Sequence, residues 1–290
     1  MVKPAPFTYH RAHSVDEAVA LLAELGDEAK ILAGGLSLVP MMNFRLARPS
    51  ALIDFTKIAD LSYLRVDNRG LRIGALTTHR TVETTRDPAV LSNYGVLPRS
   101  ARWIGHYPIR SRGTFGGSIA HADPASEWCL LAVLLDAQVV PTGPQGQRKV
   151  PAAEFFQGYY TTAASPGERL TELRFPRPEP HAVLTEFAPR QGDFAVVAAA
   201  VSVAVDHGIC RSGRVVLGGV GPQPVEIAAS ALAAQPAGPG TWQAMGEQAA
   251  SQIDPLDDTF ATSEYRRRLT ATLVSRALAE ASEAKDVATT

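Results

Sequence analysis

Two loops of one design constrain this chain more than any other feature. Residues Ile31 to Leu46 read ILAGGLSLVPMMNFRL, an apolar run that ends in two glycines, reaches a serine and then turns amphipathic. Residues Ser111 to Trp128 read SRGTFGGSIAHADPASEW, again a glycine pair followed by serine. The bland reading is two tight turns leaving strands. The functional reading is a pair of cradles, in which several backbone N–H groups converge on a diphosphate with no Cβ atom in the way and a hydroxyl adds a donor. Oriented amides hold an anion without help from lysine. The chain contains no Gly-x-Gly-x-x-Gly set between a strand and a helix, and no Gly-x-x-x-x-Gly-Lys-Ser/Thr. A nucleotide held here would not sit on a Rossmann or P-loop unit.

Bulk properties narrow the class. At 290 residues the chain has room for two or three compact units, and 46% hydrophobic against 20% charged residues is a globular balance. Its 28 basic and 29 acidic residues cancel, whereas a protein devoted to phosphate backbones carries a basic excess, so no nucleic-acid partner is expected. Cys129 and Cys210 stand far apart and cannot by themselves ligate a cluster or a zinc ion, and the seven histidines form no metal spacing. The N-terminal MVKPAPFTYHRAHSVDE lacks the apolar core of a secretory signal. The longest apolar run, FAVVAAAVSVAV from Phe194 to Val205, is too short to span a bilayer and reads as a buried strand. A cytoplasmic protein without a membrane span is the expectation.

Ser14 can cap a helix over SVDEAVALLAEL, with Glu17 at the capping-box position and Val15, Ala18, Val19, Leu22 and Leu25 on one face. Gly26 ends it, and AKILA follows as a short buried strand leading into Gly34-Gly35. ALIDF (Ala51 to Phe55) and LRIGALTT (Leu71 to Thr78) have strand character, the second after the turn-like DNRG. Helices are expected from Thr78 onward, from about Ala89 to Ile104, and over ASEWCLLAVLLDA, with a strand over QVVPTG. The Pro-rich RFPRPEPHAV (Arg174 to Val183) reads as a domain boundary or rigid connector. Beyond it come strand, turn and strand, with Asp206-His207-Gly208 near the turn. Two helices follow, the last being SEYRRRLTATLVSRALAEAS, and the terminal AKDVATT is expected to fray. The fold class is therefore α+β: an N-terminal unit to about residue 175, then a smaller sheet-plus-helices domain.

The segment KILAGGLSLVPMMNFRLARPSALIDF resembles the flavoprotein (medium) subunits of molybdenum hydroxylases, the family of carbon monoxide dehydrogenase and xanthine-dehydrogenase-type enzymes. The match to their first loop covers Ala33 to Leu38, Pro40, Met42, Arg45, Leu46, Pro49 and Leu52 to Asp54. Their second loop is matched by Arg112 to Ala125 almost throughout. IGALTTH, FFQGYYTTAASPGERLTELRFP, RQGDFA, GGVGPQPVE and SEYRRRLTATLVSRAL follow in the family's order, so the likeness spans essentially the whole chain. It implies a two-lobed FAD-binding domain over 1–176, of the PCMH (vanillyl-alcohol-oxidase-like) kind and split near 55–60, and a C-terminal domain over 177–290.

The resemblance also implies roles. Ala33, Gly34, Gly35, Leu36, Ser37 and Leu38 would wrap the diphosphate and ribityl part of non-covalent FAD, and Thr114, Gly116, Gly117 and Ser118 would form a second clamp. Asp123 would accept hydrogen bonds from sugar hydroxyls, a task suited to an ionised acceptor, although Asp-Pro is also ordinary turn chemistry. Leu170 would pack near the flavin ring or serve as core. Thr77 and Thr78 would approach the adenine half or cap a helix. His121 reads as a structural hydrogen-bonder, because electron relay needs no general base there, and no catalytic residue is assigned. One departure stands out: TEFAPRQGDFA carries Glu186 where the family has lysine and Pro189 in place of the first arginine, leaving Arg190 as the nearest cation. The implied assembly is a heterotrimer, often doubled, with a small [2Fe–2S] subunit and a large molybdopterin subunit, those cofactors residing on the partners. A stand-alone flavin oxidase or dehydrogenase and a flavin-free scaffolding protein are the competing readings. Substrate and external acceptor are not legible.

Overall fold

A computed structural model describes residues 3–283. The expected fraying of Ala284 to Thr290 lies outside the described residues.

The first lobe is a three-stranded parallel sheet in the order β1 (Thr8–Arg11), β3 (Ala51–Asp54), β2 (Ala29–Leu32), with helices α1 (Val15–Leu25) and α2 (Leu38–Asn43) between its strands. Ser14 caps α1 as its sequence requires, its hydroxyl accepting from the Glu17 N–H at 3.1 Å. Ala18 faces inward and packs with Ile53 and Phe55 in a small core. β3, flanked by two strands, is buried at every position, while β2, expected as a short buried strand, is an edge strand buried at Ala29 and part-buried or exposed beyond it. At the end of β3 the buried Asp54 carboxylate accepts the Tyr9 hydroxyl and the Thr56 N–H at 2.8 Å, so the strand stops at a fixed point.

The second lobe is built on a six-stranded sheet. β4 (Leu64–Asp67) and β5 (Gly70–Gly74) form a hairpin; α3 (His79–Glu83), α4 (Pro88–Asn93), α5 (Val96–Ser100), α6 (Tyr107–Arg112), α7 (Phe115–His121) and α8 (Glu127–Leu134) follow. Then come β6 (Gln138–Gly143), β7 (Gly146–Gln147), β8 (Val150–Pro151), α9 (Ala152–Phe155), the small hairpin β9 (Phe156–Gly158) and β10 (Thr161–Thr162), and finally β11 (Arg169–Phe175). The strand order β4-β5-β11-β6-β7 puts the last strand in the middle, with β8 pairing β6. The single helix expected over Ala89 to Ile104 is in fact two. Tyr94 leaves the helical region (φ −135°), its ring buried and its hydroxyl donating to the Phe175 carbonyl at 3.1 Å. This tertiary bond breaks a segment whose local pattern runs on. The connector after β11 is not free: the Glu179 N–H reaches the Asn93 carbonyl at 2.9 Å, and Arg99 holds the Ala182 carbonyl at 2.9 Å.

The last unit is a four-stranded antiparallel sheet, β12 (Val183–Phe187), β13 (Val197–Asp206), β14 (Ile209–Gly218) and β15 (Val225–Ile227), backed by α10 (Pro239–Ser251) and α11 (Ser263–Glu283). β13 and β14 are joined through His207 (φ 49°) and Gly208 (φ 76°), a two-residue turn with both central residues left-handed. β13 explains its own apolar run. Val197, Ala199, Val201 and Val203 face α10 and α11, while Ala198 and Ala200 face the core that contains α8. A strand covered on both sides reads as continuous rather than alternating hydrophobic sequence. α8, buried along its whole length, is thus shared between the second lobe and the last sheet.

Candidate cofactor site

The first glycine loop leaves the end of β2 and enters α2. The Val39 N–H bonds back to the Gly35 carbonyl at 3.0 Å and the Met41 N–H to the Ser37 carbonyl at 3.2 Å. The N–H groups of Gly34, Gly35, Leu36 and Ser37 take no partner among the described residues. Gly35 has φ 75°, so the run turns through a left-handed residue, the geometry that points successive amides to one side. Ser37 makes no capping bond with its exposed side chain, which leaves that hydroxyl available. Four donors and a hydroxyl in one short loop are the chemistry that an anionic group needs.

The second loop is arranged differently. Thr114 caps α7, accepting the Gly117 N–H at 3.1 Å, while the Ser118 N–H goes to the Thr114 carbonyl at 3.0 Å. The Phe115 N–H reaches the Thr77 carbonyl at 2.8 Å and the Gly116 N–H the Ala75 carbonyl at 2.9 Å. Its amides are therefore committed inside the protein. What it presents is side chain: the Thr114 hydroxyl, whose hydrogen is not used in capping, Ser118, which bonds Ser126 at 2.8 Å, and Asp123. Gly116 is glycine because a Cβ would lie 2.5 Å from that of Ala75. The two loops touch. A Cβ on Gly34 would come within 2.3 Å of the Arg112 carbonyl oxygen, so loop-to-loop packing as well as ligand approach demands that glycine.

Other expected site residues fall unevenly around this contact. Thr78 pairs with Thr114 in a single antiparallel bridge and caps α3 through the Thr81 N–H at 3.1 Å. The Thr77 side chain is fully buried and bonds the backbone of Tyr63, donating at 2.7 Å and accepting at 3.0 Å. Asp123 uses one oxygen on the Ala125 N–H at 2.9 Å, the turn role, and the other accepts from the Tyr160 hydroxyl at 3.3 Å. His121 lies against the Tyr160 ring at 5.0 Å, and burial lowers its pKa against the opposing pull of Asp123. Leu170, on β11 opposite Pro141, is part-buried against the core of the second lobe.

Residues that sequence reasoning passed over complete the surroundings. His79 accepts from the Trp128 indole N–H at 2.9 Å, and burial, with the charge of Arg110, pushes its pKa down to about 4. Behind the second loop, Glu127 opens α8 as a buried carboxyl. Burial, then the charges of Glu186 and Asp123, push it up to about 8, and burial pushes Glu186 up to about 7. One oxygen of Glu186 is enclosed with no hydrogen-bond partner. Arg190 is exposed and forms no ion pair among the described residues, so it does not neutralise them. A lone carboxylate at the head of the apolar SEWCLLAVLL was the signal available for Glu127. A cavity of about 580 Å3 lies elsewhere, between α1 and the six-stranded sheet. Its buried Glu172 is already held by Tyr63, Arg72 and Arg174. Among the described residues no cluster of His, Cys, Asp or Glu is placed to hold a metal ion, and no helix is long and apolar enough to cross a membrane.

Residues 5–178 match the FAD binding domain in molybdopterin dehydrogenase, and residues 182–281 match the CO dehydrogenase flavoprotein C-terminal domain. The alpha subunit of the 6-hydroxypseudooxynicotine dehydrogenase complex of Paenarthrobacter nicotinovorans is 37% identical over 286 residues, covering 97% of this chain and 96% of that one. Carbon monoxide dehydrogenase from Hydrogenophaga pseudoflava superposes with a TM-score of 0.92 at 34% identity, covering 97% of this chain and 98% of the other. Quinoline 2-oxidoreductase from Pseudomonas putida 86 gives 0.93 at 32% identity, covering 97% and 99%. With an anion-receptive glycine loop, a hydroxyl-bearing second loop and likeness along the whole chain, this protein belongs to the family of FAD-binding medium subunits of the molybdenum hydroxylases.

Proposed function

We propose that FAD lies, without a covalent link, across the contact between the two glycine loops. The unengaged N–H groups of Gly34 to Ser37 carry this reading, because four successive half-buried or exposed amides without a protein partner leave one short loop with donors for an anionic group. Ala33 to Leu38 take the diphosphate side. Thr114, Gly116, Gly117 and Ser118 form the opposite wall, in which the glycines provide close packing and the hydroxyls the contacts. Asp123, steadied by Tyr160, accepts from sugar hydroxyls, and Leu170 packs at the ring end. Thr78 and the backbone of Thr77 support the second loop at the adenine side.

Bound FAD supplies the redox chemistry, since a flavin accepts electrons singly and delivers them in pairs. The chain contributes placement, exclusion of water and local charge. It acts as an electron-transfer subunit, receiving electrons from [2Fe–2S] clusters on a small partner and passing them to an external acceptor, while a large partner holds the molybdopterin site. The complex is a heterotrimer, doubled in its full form, and cytoplasmic. Within this chain 1–176 is the FAD-binding domain, split near 55–60, and 177–290 the C-terminal domain.

The test is FAD titration of the purified chain with Ser118→Ala and Asp123→Asn. Loss of a charge-assisted hydrogen bond is worth about 1.5–3 kcal/mol, so the aspartate variant should bind FAD roughly ten- to a hundredfold more weakly. Affinity unchanged in both variants would end the loop assignment.

A further inference from the structure

The β9–β10 hairpin ends in two aromatic side chains. Tyr159 and Tyr160 stand at its tip, 55% and 58% exposed, while Phe155 and Phe156 at its base are buried in the core of the second lobe. Among the described residues β9 and β10 pair only with each other, and their register slips between Thr161 and Thr162, so no larger sheet fixes where the tip points. Tyr160 itself does so. Its hydroxyl donates to Asp123 at 3.3 Å and its ring lies 5.0 Å from that of His121. The tip therefore leans on the loop that carries Thr114, Ser118 and Asp123.

The backbone shows what this placement costs. Two residues of the tip have positive φ, Gly158 at 141° and Tyr160 at 52°. The left-handed region is open to glycine and tolerated by asparagine, but a large side chain is crowded there by the following carbonyl. A turn that needed only this shape would be met by either of those residues, so a tyrosine here needs a reason in its side chain. Folding does not supply one, since a ring more than half exposed buries little apolar surface. Strain of this kind gathers at ligand clamps.

We propose that the hairpin tip is a clasp on bound FAD, in which the ring of Tyr160 packs on the cofactor beside Asp123 and slows its release. The inference rests on the FAD reading above and deepens it, adding a contact that neither glycine loop supplies. The cofactor covers the exposed ring, and the apolar surface buried in that contact offsets the backbone strain. The side chain then has two separable roles. Its hydroxyl tethers the tip to Asp123, and its ring holds the cofactor.

The test uses the tagged full chain, isolated from its native host as the holoprotein. The rise of FAD fluorescence after dilution reads the rate of release, and differential scanning fluorimetry of the flavin-free protein reads stability. Tyr160→Gly and Tyr160→Asn should release FAD roughly tenfold faster than wild type while melting no lower. Tyr160→Phe, which keeps the ring and loses a long hydrogen bond, should stay within about threefold of wild type. FAD should also protect the tip from chymotrypsin while leaving Phe260, 76% exposed between α10 and α11, open to it. Release at the wild-type rate from the glycine and asparagine variants, a lower melting temperature in both, a phenylalanine variant that releases as fast as the glycine one, or a tip that FAD leaves open to cleavage would each overturn the clasp. A wild-type chain isolated without FAD and unable to take it up would instead defeat the FAD reading, and the clasp with it.

Discussion

Replacing Glu186 should change how stability depends on pH, and the size of the effect follows from the structure. Glu127 and Glu186 form a buried carboxyl pair without a cation, pushed up to about 8 and about 7 from an ordinary value of 4.5. A carboxyl whose folded-state pKa is raised holds its proton more tightly in the folded chain. Its stabilisation is full below about 4.5 and is lost as pH rises through the folded value. The clean window is pH 6.5 to 8.5. Below it, His79, depressed to about 4, adds a slope of opposite sign as it is forced to charge. Above it, the Cys129 thiol ionises in the unfolded chain while burial keeps it protonated in the folded one, which adds a fall in stability of the same sign. Across that window one shared proton at 1.36 kcal/mol per pH unit costs the wild type about 2 kcal/mol, with the two shifts counted as one coupled titration. For a chain of this size that is roughly 4–8 °C in Tm. Differential scanning fluorimetry of the apo chain at half-unit steps reads it directly. Glu186→Gln should flatten the slope and melt higher than wild type at pH 8, and Glu186→Lys should remove the slope by pairing with Glu127. A Glu186→Gln curve parallel to wild type over this window would refute the carboxyl pair.

Gly34→Ala should fold but bind FAD more weakly. Its Cβ meets the Arg112 carbonyl at 2.3 Å, and separating the loops costs about 1–3 kcal/mol, which fluorescence titration would register as a five- to hundredfold loss. Unchanged affinity would mean that the loops need not touch. Trp128→Phe should lower stability by about 1–3 kcal/mol, because the buried His79 nitrogen at 2.9 Å loses its donor. Equal melting temperatures for wild type and variant would remove that bond from the core.

Much of the local structure was legible because its causes are local. Ser14 and Glu17 start α1, and Asp206-His207-Gly208 forces the β13–β14 turn; each depends on groups within a few residues. The two glycine loops were equally visible, as was the departure at Glu186. Less legible was what each glycine does. Both loops read alike, yet one leaves its amides free and the other spends them on Thr77, Ala75 and Thr114. Nothing local in the sequence announces that the Thr77 hydroxyl bonds the backbone of Tyr63, fourteen residues earlier.

The sequence by itself excluded nucleic-acid and metal-cluster roles through its charge balance and cysteine shortage, and its class came from the likeness of two ordered motifs to the loops of a known family, because those properties do not depend on contacts. Only the tertiary structure decided which strand is covered on both faces, where the Ala89 to Ile104 segment breaks, and that Glu186 faces Glu127 rather than a cation. Those outcomes are set by packing between residues remote in the chain. A side chain's burial and its partner exist only once the sheets and helices have closed on one another.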